Sequence, residues 1–184
     1  MGALSFGRVV LQVRIHGGGF AVRSSLTESP VGISERLMSM GIRLTRGRFA
    51  TLLSAYAPTL DSSNEEKNTF YAALRSTLQH VPHTDKLLLL GDFNARAGAN
   101  HQVWQTVIGR HGVGKSNNNG LCLLEVCSEF SPCITNTMFQ LQNKYKTSWM
   151  HPRSKHWHLI DFVIVRRSDL HDVKTTRAIR GADC

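Results

Sequence analysis

Three stretches of this chain carry the hydrophobic patterns of β-strands. Leu87 to Leu90 form a continuous apolar run that is long enough for a buried strand and too short for a buried helix, and Gly91 interrupts it. Residues 35–40 and 48–56 give two further strands, which the glycine-containing stretch 45–48 joins as a hairpin loop. These segments predict a sheet in the first half of the chain.

A helical pattern separates the second of these strands from the third. The stretch from Asp61 to Glu66 combines a capping residue with acidic residues in the first turn, which suits the positive end of a helix dipole. Phe70, Leu74 and Leu78 then recur at helical spacing and predict its buried face. A helix between two strands of one sheet forms a crossover unit.

The rest of the chain predicts more strands around a long central loop. Glycines and asparagines dominate residues 97–119, and long loops inside compact domains are often functional. Residues 121–127 favour a second helix. Further strands are predicted at 8–15, 17–23, 133–139, 147–150 and 159–165, with a loop at 24–30 and a basic hairpin tip at 153–157.

The residues directly after the leucine run are the first candidates for chemistry. In an extended chain Asp92 and Asn94 project to one side and Phe93 to the other. A carboxylate at the end of a strand can act as a base or hold a divalent cation. The structural alternative is a turn at Gly91 and Asp92 that Asn94 caps.

Asp161 is the other notable carboxylate. Residues 159–165 are apolar on both faces apart from this one residue, which predicts a central strand with a buried aspartate. A buried carboxylate needs a hydrogen-bonded or charged partner, because its desolvation otherwise costs several kcal/mol.

Composition narrows the class of protein. The chain has 184 residues, enough for one domain, and 22 Lys and Arg against 13 Asp and Glu give a net charge of +9. This bias favours polyanions such as nucleic acid, although a soluble protein that is merely basic has the same composition. No apolar run reaches the ~18 residues of a membrane span. Four cysteines without a C-x-x-C pair predict free thiols and a nuclear or cytoplasmic location.

Five stretches together resemble the endonuclease/exonuclease/phosphatase superfamily, with deoxyribonuclease I as its reference fold. They are S-A-Y-A-P at 54–58, L-L-L-L-G-D-F-N-A at 87–95, N-N-G at 118–120, T-N-T-M-F with T-S-W-M-H-P at 135–152, and L-I-D-F-V-I-V at 159–165. E-R-L-M-S at 35–39 and R-G-R-F-A at 46–50 resemble the endonuclease domains of LINE-type retrotransposons. The resemblance implies an α+β fold, a two-sheet β-sandwich flanked by helices, in an incomplete form.

The resemblance also implies roles for individual residues. Asp92 would activate or align water, and Asn94 would bind the phosphate or that water. Tyr56 would donate to the phosphate, and Asp161 would orient a catalytic histidine. Substrate-binding positions are Asn119, Thr147, Trp149 and Arg153, of which Trp149 can stack on a base. Tyr56 at a sheet edge, Trp149 in a core and Arg153 on a solvated basic face are the structural alternatives.

The match begins near residue 17, so the sequence divides into a non-family segment 1–16 and a partial domain 17–184. Residues 1–16 contain no acidic residue for the family's metal ligand, and no residue is nominated as a ligand here. The Asp-His pair near the family's C-terminus is also unmatched, since Cys184 follows Asp183. We therefore expect an impaired enzyme.

The resulting expectation is a retroelement-derived, Mg²⁺-dependent DNA endonuclease domain with little or no activity. DNA is the expected partner, without a membrane or an obligate protein partner. Two alternatives stay open, a non-catalytic nucleic-acid-binding remnant and a phosphatase of the same fold.

Overall fold

The computed structural model describes residues 31–179, so the strands predicted at 8–15 and 17–23 lie outside the described range. Within it the chain forms strands and two α-helices. The strands are β1 (Val31–Ser34), β2 (Leu37–Arg43), β3 (Phe49–Tyr56), β4 (Lys86–Asp92), β5 (Pro132–Ile134), β6 (Trp149–Met150), β7 (Trp157–His158) and β8 (Asp161–Arg166), and the helices are α1 (Asn64–His80) and α2 (Asn118–Phe130).

Six of the strands form one mixed sheet in the order β1-β2-β3-β4-β8-β5. β3 and β4 are parallel neighbours, which confirms the crossover through α1. β8 lies between β4 and β5 and is antiparallel to both, so the central position predicted for residues 159–165 is confirmed. β6 and β7 pair with each other as a separate antiparallel hairpin.

The main core lies between one face of the sheet and the two helices. Leu53, Leu89 and Ile164 occupy matching positions on β3, β4 and β8, and all three are fully buried. Leu74 of α1 and Leu123 of α2 belong to the same apolar cluster. Burial of side chains of this size stabilises a fold by roughly 1.5–3 kcal/mol each, so this cluster fixes the sheet against the helices.

The start of α1 follows the sequence signal. The Ser63 hydroxyl accepts a hydrogen bond from the Glu66 N–H (3.1 Å), and the Glu66 carboxylate accepts one from the Ser63 N–H (3.2 Å). This reciprocal capping box satisfies two N–H groups that the helix itself leaves unpaired. The predicted cap is therefore confirmed.

Several predicted boundaries differ from the structure, and side chains decide two of them. The strand expected over 133–139 ends at Ile134, because the Thr137 hydroxyl donates to the Ile134 carbonyl (2.6 Å) and closes a 3-10 turn over Thr135–Thr137. The loop expected to run to residue 119 ends earlier, at the N-cap Asn117, whose side chain accepts from the Gly120 N–H. Side-chain hydrogen bonds to the backbone decide both ends, and hydrophobic periodicity does not detect them.

Candidate active site

Three of the nominated residues form one row across the sheet. Tyr56 on β3 pairs in register with Asp92 on β4, and Asp92 pairs with Asp161 on β8. Residues directly opposite one another on neighbouring strands project from the same face. Each of the three is an odd number of positions from the core leucines and isoleucine of its strand, so the row lies on the face that points away from α1 and α2.

The expectation that Asp161 is buried is wrong. It is the first residue of β8 and its side chain is exposed, whereas Phe162 behind it is buried. The apolar side chains of β8 pack in the core. Asp161 is the first residue of the strand and lies at the edge of the core. Because the Asp161 carboxylate is exposed to water, it does not need a hydrogen-bonded or charged partner to offset a cost of desolvation.

Burial and a like charge act on Asp92. Desolvation is the main cause that raises the pKa of this carboxyl, and the Asp161 carboxylate raises it further, while the hydrogen bond from the Asn94 N–H opposes both. Two carboxylates side by side resist simultaneous ionisation. Asp92 is thus a better proton acceptor than an exposed aspartate at neutral pH, since its conjugate acid is weaker.

Asn94 is held in a tight turn against Asp92. Its backbone adopts a positive φ of 45°, a conformation that asparagine tolerates better than most residues. Its N–H donates to Asp92 Oδ1 (2.8 Å), and its side-chain amide donates to the Ala57 carbonyl (2.8 Å). An amide carries two N–H donors, so one stays available for a ligand. The turn that the sequence offered at Gly91 and Asp92 is absent, because β4 continues through both residues, and the chain bends only at Asn94, where the hydrogen bond to Asp92 positions both polar groups.

Asn119 supports this turn from below. It is buried in the first turn of α2, and its side-chain amide donates to the carbonyls of Pro58 (2.9 Å) and Asn94 (3.1 Å). The Tyr71 hydroxyl donates to the Asn119 carbonyl (2.9 Å), which anchors the helix start to α1. Because Asn119 is buried, it supports the site from inside the fold and has almost no exposed surface that could contact a substrate.

Two contributors to the row were not found by sequence reasoning. The Arg36 guanidinium lies over the Tyr56 ring, 5.6 Å from its centroid, as a cation–π contact. Asn136 bridges β8, donating to the Asp161 carbonyl (3.2 Å) and accepting from the Val163 N–H (2.8 Å). Both residues lie inside motifs quoted above, Arg36 in E-R-L-M-S and Asn136 in T-N-T-M-F, but their contacts arise only in the folded chain.

The β6–β7 hairpin leads directly into Asp161. Trp149 is 40% exposed, so it is a surface residue and not a core residue. Arg153 lies on the exposed turn, where its N–H and that of Ser154 donate to His151 Nδ1. Thr147 is buried and its hydroxyl donates to the Asn143 carbonyl (3.1 Å), so its side chain serves the loop below the hairpin.

An open pocket of about 280 Å³ lies beside the two carboxylates. Asp92, Asp161 and Asn136 line it together with Lys146 and Arg177. Burial lowers the pKa of Lys146, whose ammonium donates to the His111 carbonyl (2.8 Å). The pocket thus joins acidic groups on the sheet to basic groups on the adjoining loops.

The paired carboxylates suit a hard divalent cation. Mg²⁺ is commonly held by one or two carboxylates, with water and substrate phosphate completing its shell. Asp92 and Asp161 supply two such groups, and a cation between them would relieve their mutual repulsion. Residues 31–179 contain no cluster of three or more His, Cys, Asp or Glu arranged to hold a metal. The fit is therefore to a cation that keeps most of its water.

We expect Asp92→Asn to raise the melting temperature at pH 7 by roughly 2–4 °C. Because the pKa of Asp92 is raised on folding, the stability that this group contributes is present at low pH and lost as pH rises through the shifted pKa. Asparagine removes the charge and keeps the oxygen that accepts from Asn94. Differential scanning calorimetry at pH 7 and pH 4 tests this, and an equal gain at both values would contradict it.

No model of a known protein family matches the chain. Its fold is similar to that of the endonuclease domain of TRAS1, a telomere-specific non-LTR retrotransposon, with a TM-score of 0.56, 16% identity, and coverage of 89% of this chain and 68% of that one. It is also similar to the 3′ phosphatase NExo from Neisseria, with a TM-score of 0.50, 17% identity, and coverage of 74% and 54%. The chain has the deoxyribonuclease-I-like fold of the endonuclease/exonuclease/phosphatase superfamily.

Within that fold, its homologues include craniofacial development protein 2. The chain is 34% identical over 134 residues to the protein from Bos taurus and 31% identical over 134 residues to that from Tragulus javanicus. These matches cover 73% of this chain but only 22% and 23% of the relatives. The chain spans less than a quarter of the length of the curated relatives that it matches.

No helix within residues 31–179 combines the length and apolar character needed to cross a membrane.

Proposed function

We propose that this chain is a retroelement-derived endonuclease domain that hydrolyses DNA phosphodiester bonds with the help of Mg²⁺. The single observation that carries the proposal is the row of Tyr56, Asp92 and Asp161, which places a phenol and two carboxylates side by side on one face of the sheet. Asn94 is tied to this row through Asp92. These are groups that phosphodiester hydrolysis needs, namely a base, donors to the phosphate and carboxylates for a cation.

Each side chain has a task in this mechanism. Asp92 accepts the proton of the attacking water or aligns that water, and in the absence of a cation burial and the charge of Asp161 raise its pKa above that of an ordinary aspartate. Asn94 donates an N–H and Tyr56 a hydroxyl to the non-bridging phosphate oxygens. These donors stabilise the negative charge that develops there because they are fixed before the reaction.

Asp92 and Asp161 would hold the Mg²⁺ at the row. The cation would act as a Lewis acid that neutralises charge on the phosphate.

We propose that this chain hydrolyses DNA only slowly. Asp161 fits the carboxylate that orients a histidine, yet its side chain has no hydrogen bond to a histidine within residues 31–179. Positioning and charge stabilisation supply most of the catalysis in such sites, so this lack costs several powers of ten. The same observation favours a second candidate function, a non-catalytic nucleic-acid-binding remnant.

The proposed partner is DNA, and three features of the chain support it. The net charge is +9. Trp149 is exposed on a hairpin that also carries Arg153, an arrangement suited to bases and phosphates. NExo is described in complex with a product DNA hairpin. The free cysteines Cys122, Cys127 and Cys133 suit a reducing compartment, so we place the chain in the nucleus or cytoplasm.

Nicking of supercoiled plasmid tests the function. We expect slow conversion to open circles with Mg²⁺ and none in EDTA, because the cation supplies part of the charge stabilisation. Arg43→Gln at the other end of the sheet is the control and should nick at the rate of the unmodified chain. DNA binding without nicking would support the binding remnant. Phosphate release from a 3′-phosphorylated oligonucleotide without nicking would support the phosphatase.

A further inference from the structure

The β6–β7 hairpin stacks its aromatic rings in a continuous series. The Trp149 and His158 rings are stacked, with centroids 5.9 Å apart and planes 28° apart. His151 packs edge-on against Trp149 (5.5 Å), and His156 lies 5.8 Å from His158. The backbone fixes this order, since Trp149 and His158 are register partners and the Ser148 N–H donates to the His158 carbonyl (2.9 Å).

This series stands next to the catalytic row. His158 precedes Asp161 by three residues, and the Phe93 N–H donates to the Ile160 carbonyl (3.0 Å), which ties the hairpin exit to the segment after Asp92. Arg96 follows on that segment and its charge acts on His158. The hairpin and Arg96 therefore border the site from two different elements.

The charged side chains of the hairpin and of Arg96 are basic, and the carboxylates nearest to them along these two segments are Asp161, three residues after His158, and Asp92, four residues before Arg96. Burial lowers the pKa of His158 most, followed by the positive charge of Arg96 and then by the neighbouring imidazoles of His156 and His151. Arg153 and Lys155 on the hairpin turn add further positive charge. The Arg96 guanidinium has no hydrogen bond or ion pair with any residue of the described range. Basic groups gathered on two elements, with no ion pair from the Arg96 guanidinium to these carboxylates, form a site for an anion.

We propose that Arg96 and His158 form a second phosphate subsite, which binds the phosphate next to the one that Asp92 and Asn94 act upon, while Trp149 stacks on the adjoining base. The ligand class is a nucleic-acid phosphodiester. Because the subsite serves the DNA substrate proposed above, it rests on that function and extends it.

Binding at this subsite takes up a proton. A phosphate between Arg96 and His158 favours the imidazolium form, so the pKa of His158 rises from its lowered value when DNA binds. Affinity then increases as pH falls through the range between the two pKa values. Each unit of rise in that pKa corresponds to about a tenfold gain in affinity at low pH.

The test measures binding without catalysis. A fluorescein-labelled DNA duplex is titrated with the full chain in EDTA at constant ionic strength, and the dissociation constant is read from anisotropy at pH 5.5 and pH 8.0. We expect binding about tenfold tighter at pH 5.5. His158→Gln should reduce this difference to below about threefold. His80→Gln, at the far end of α1, should leave it unchanged.

The variant Arg96→Gln tests the subsite through the salt dependence of DNA binding, independently of pH. Loss of one phosphate contact should reduce the slope of log K against log salt by about 1, whereas Arg43→Gln at the far end of the sheet should leave the slope intact. Circular dichroism confirms that each variant is folded. A pH dependence that persists in His158→Gln, or equal slopes for Arg96→Gln and Arg43→Gln, would overturn the subsite, and so would a failure of the unmodified chain to bind DNA at either pH.

The experiments can contradict the proposed subsite and the proposed nuclease activity separately. A chain that never nicks plasmid but shows both effects supports the subsite and contradicts the catalytic proposal. A chain that nicks plasmid while neither variant changes binding contradicts the subsite alone.

Discussion

Asp92→Asn is expected to lower the rate of plasmid nicking by about 10²–10⁴-fold, which brings a slow enzyme to the protein-free background. Asparagine keeps the oxygen that accepts from the Asn94 N–H, so the turn is preserved. It cannot accept a proton from water, and it removes one of two carboxylates that would face the cation. Agarose-gel quantification of supercoiled and nicked plasmid over time with Mg²⁺ measures the effect.

Asp172→Asn is the matched control for this change. Asp172 is an exposed carboxylate that accepts from Lys86 (2.8 Å), and Lys86 opens the strand that Asp92 ends. The two aspartates are therefore about 20 Å apart along the strand direction. The control should nick like the unmodified chain. Undiminished nicking by Asp92→Asn would show that the cleavage comes from another group or from a contaminating nuclease.

Gly91→Ala is expected to destabilise the fold by about 3 kcal/mol or more. A Cβ built at Gly91 would lie 1.8 Å from the Ala55 carbonyl oxygen on β3, and Gly91 has a φ of +156°. The atoms that this Cβ would meet are all backbone atoms of Ala55, so a side-chain adjustment cannot relieve the contact. The variant should show a lower urea midpoint and a loss of nicking, because the shift moves Asp92 relative to Tyr56.

Gly114→Ala separates the clash from the backbone conformation. Gly114 has a φ of +70°, and a Cβ there would meet nothing within 4 Å. This change should cost only the roughly 1–2 kcal/mol of a left-handed residue with a side chain. Equal losses in the two variants would show that steric contact with Ala55 is not what requires glycine at position 91.

Much of the fold could be predicted from local patterns. The leucine run gave β4, and the spacing of Phe70, Leu74 and Leu78 gave α1, because burial of apolar side chains sets both periods. The capping residues before Glu66 marked the helix start correctly. The end of β5 and the start of α2 were missed, because they are decided by side-chain hydrogen bonds, one that Thr137 donates to Ile134 and one that Asn117 accepts from Gly120, and such bonds leave no hydrophobic period.

For the candidate site, too, some features could be predicted from the sequence and others could not. Asp92, Asn94, Tyr56 and Asp161 could be nominated from short motifs in sequence. Their convergence could not be derived from periodicity, since Tyr56 and Asp161 are 105 positions apart and meet Asp92 only through strand register. The exposure of Asp161, the burial of Asn119 and the contact of Arg36 with Tyr56 depend on the same register.

The sequence by itself determined which segments become strands and helices and which polar residues follow them, because these depend on neighbours within a few positions. Only the tertiary structure decided that a phenol and two carboxylates share one face, and that Arg96 and the histidines of the hairpin lie beside them. Strand pairing brings distant residues to a spacing of about 5 Å, and that distance sets both the repulsion at Asp92 and the site's capacity for a cation and phosphate.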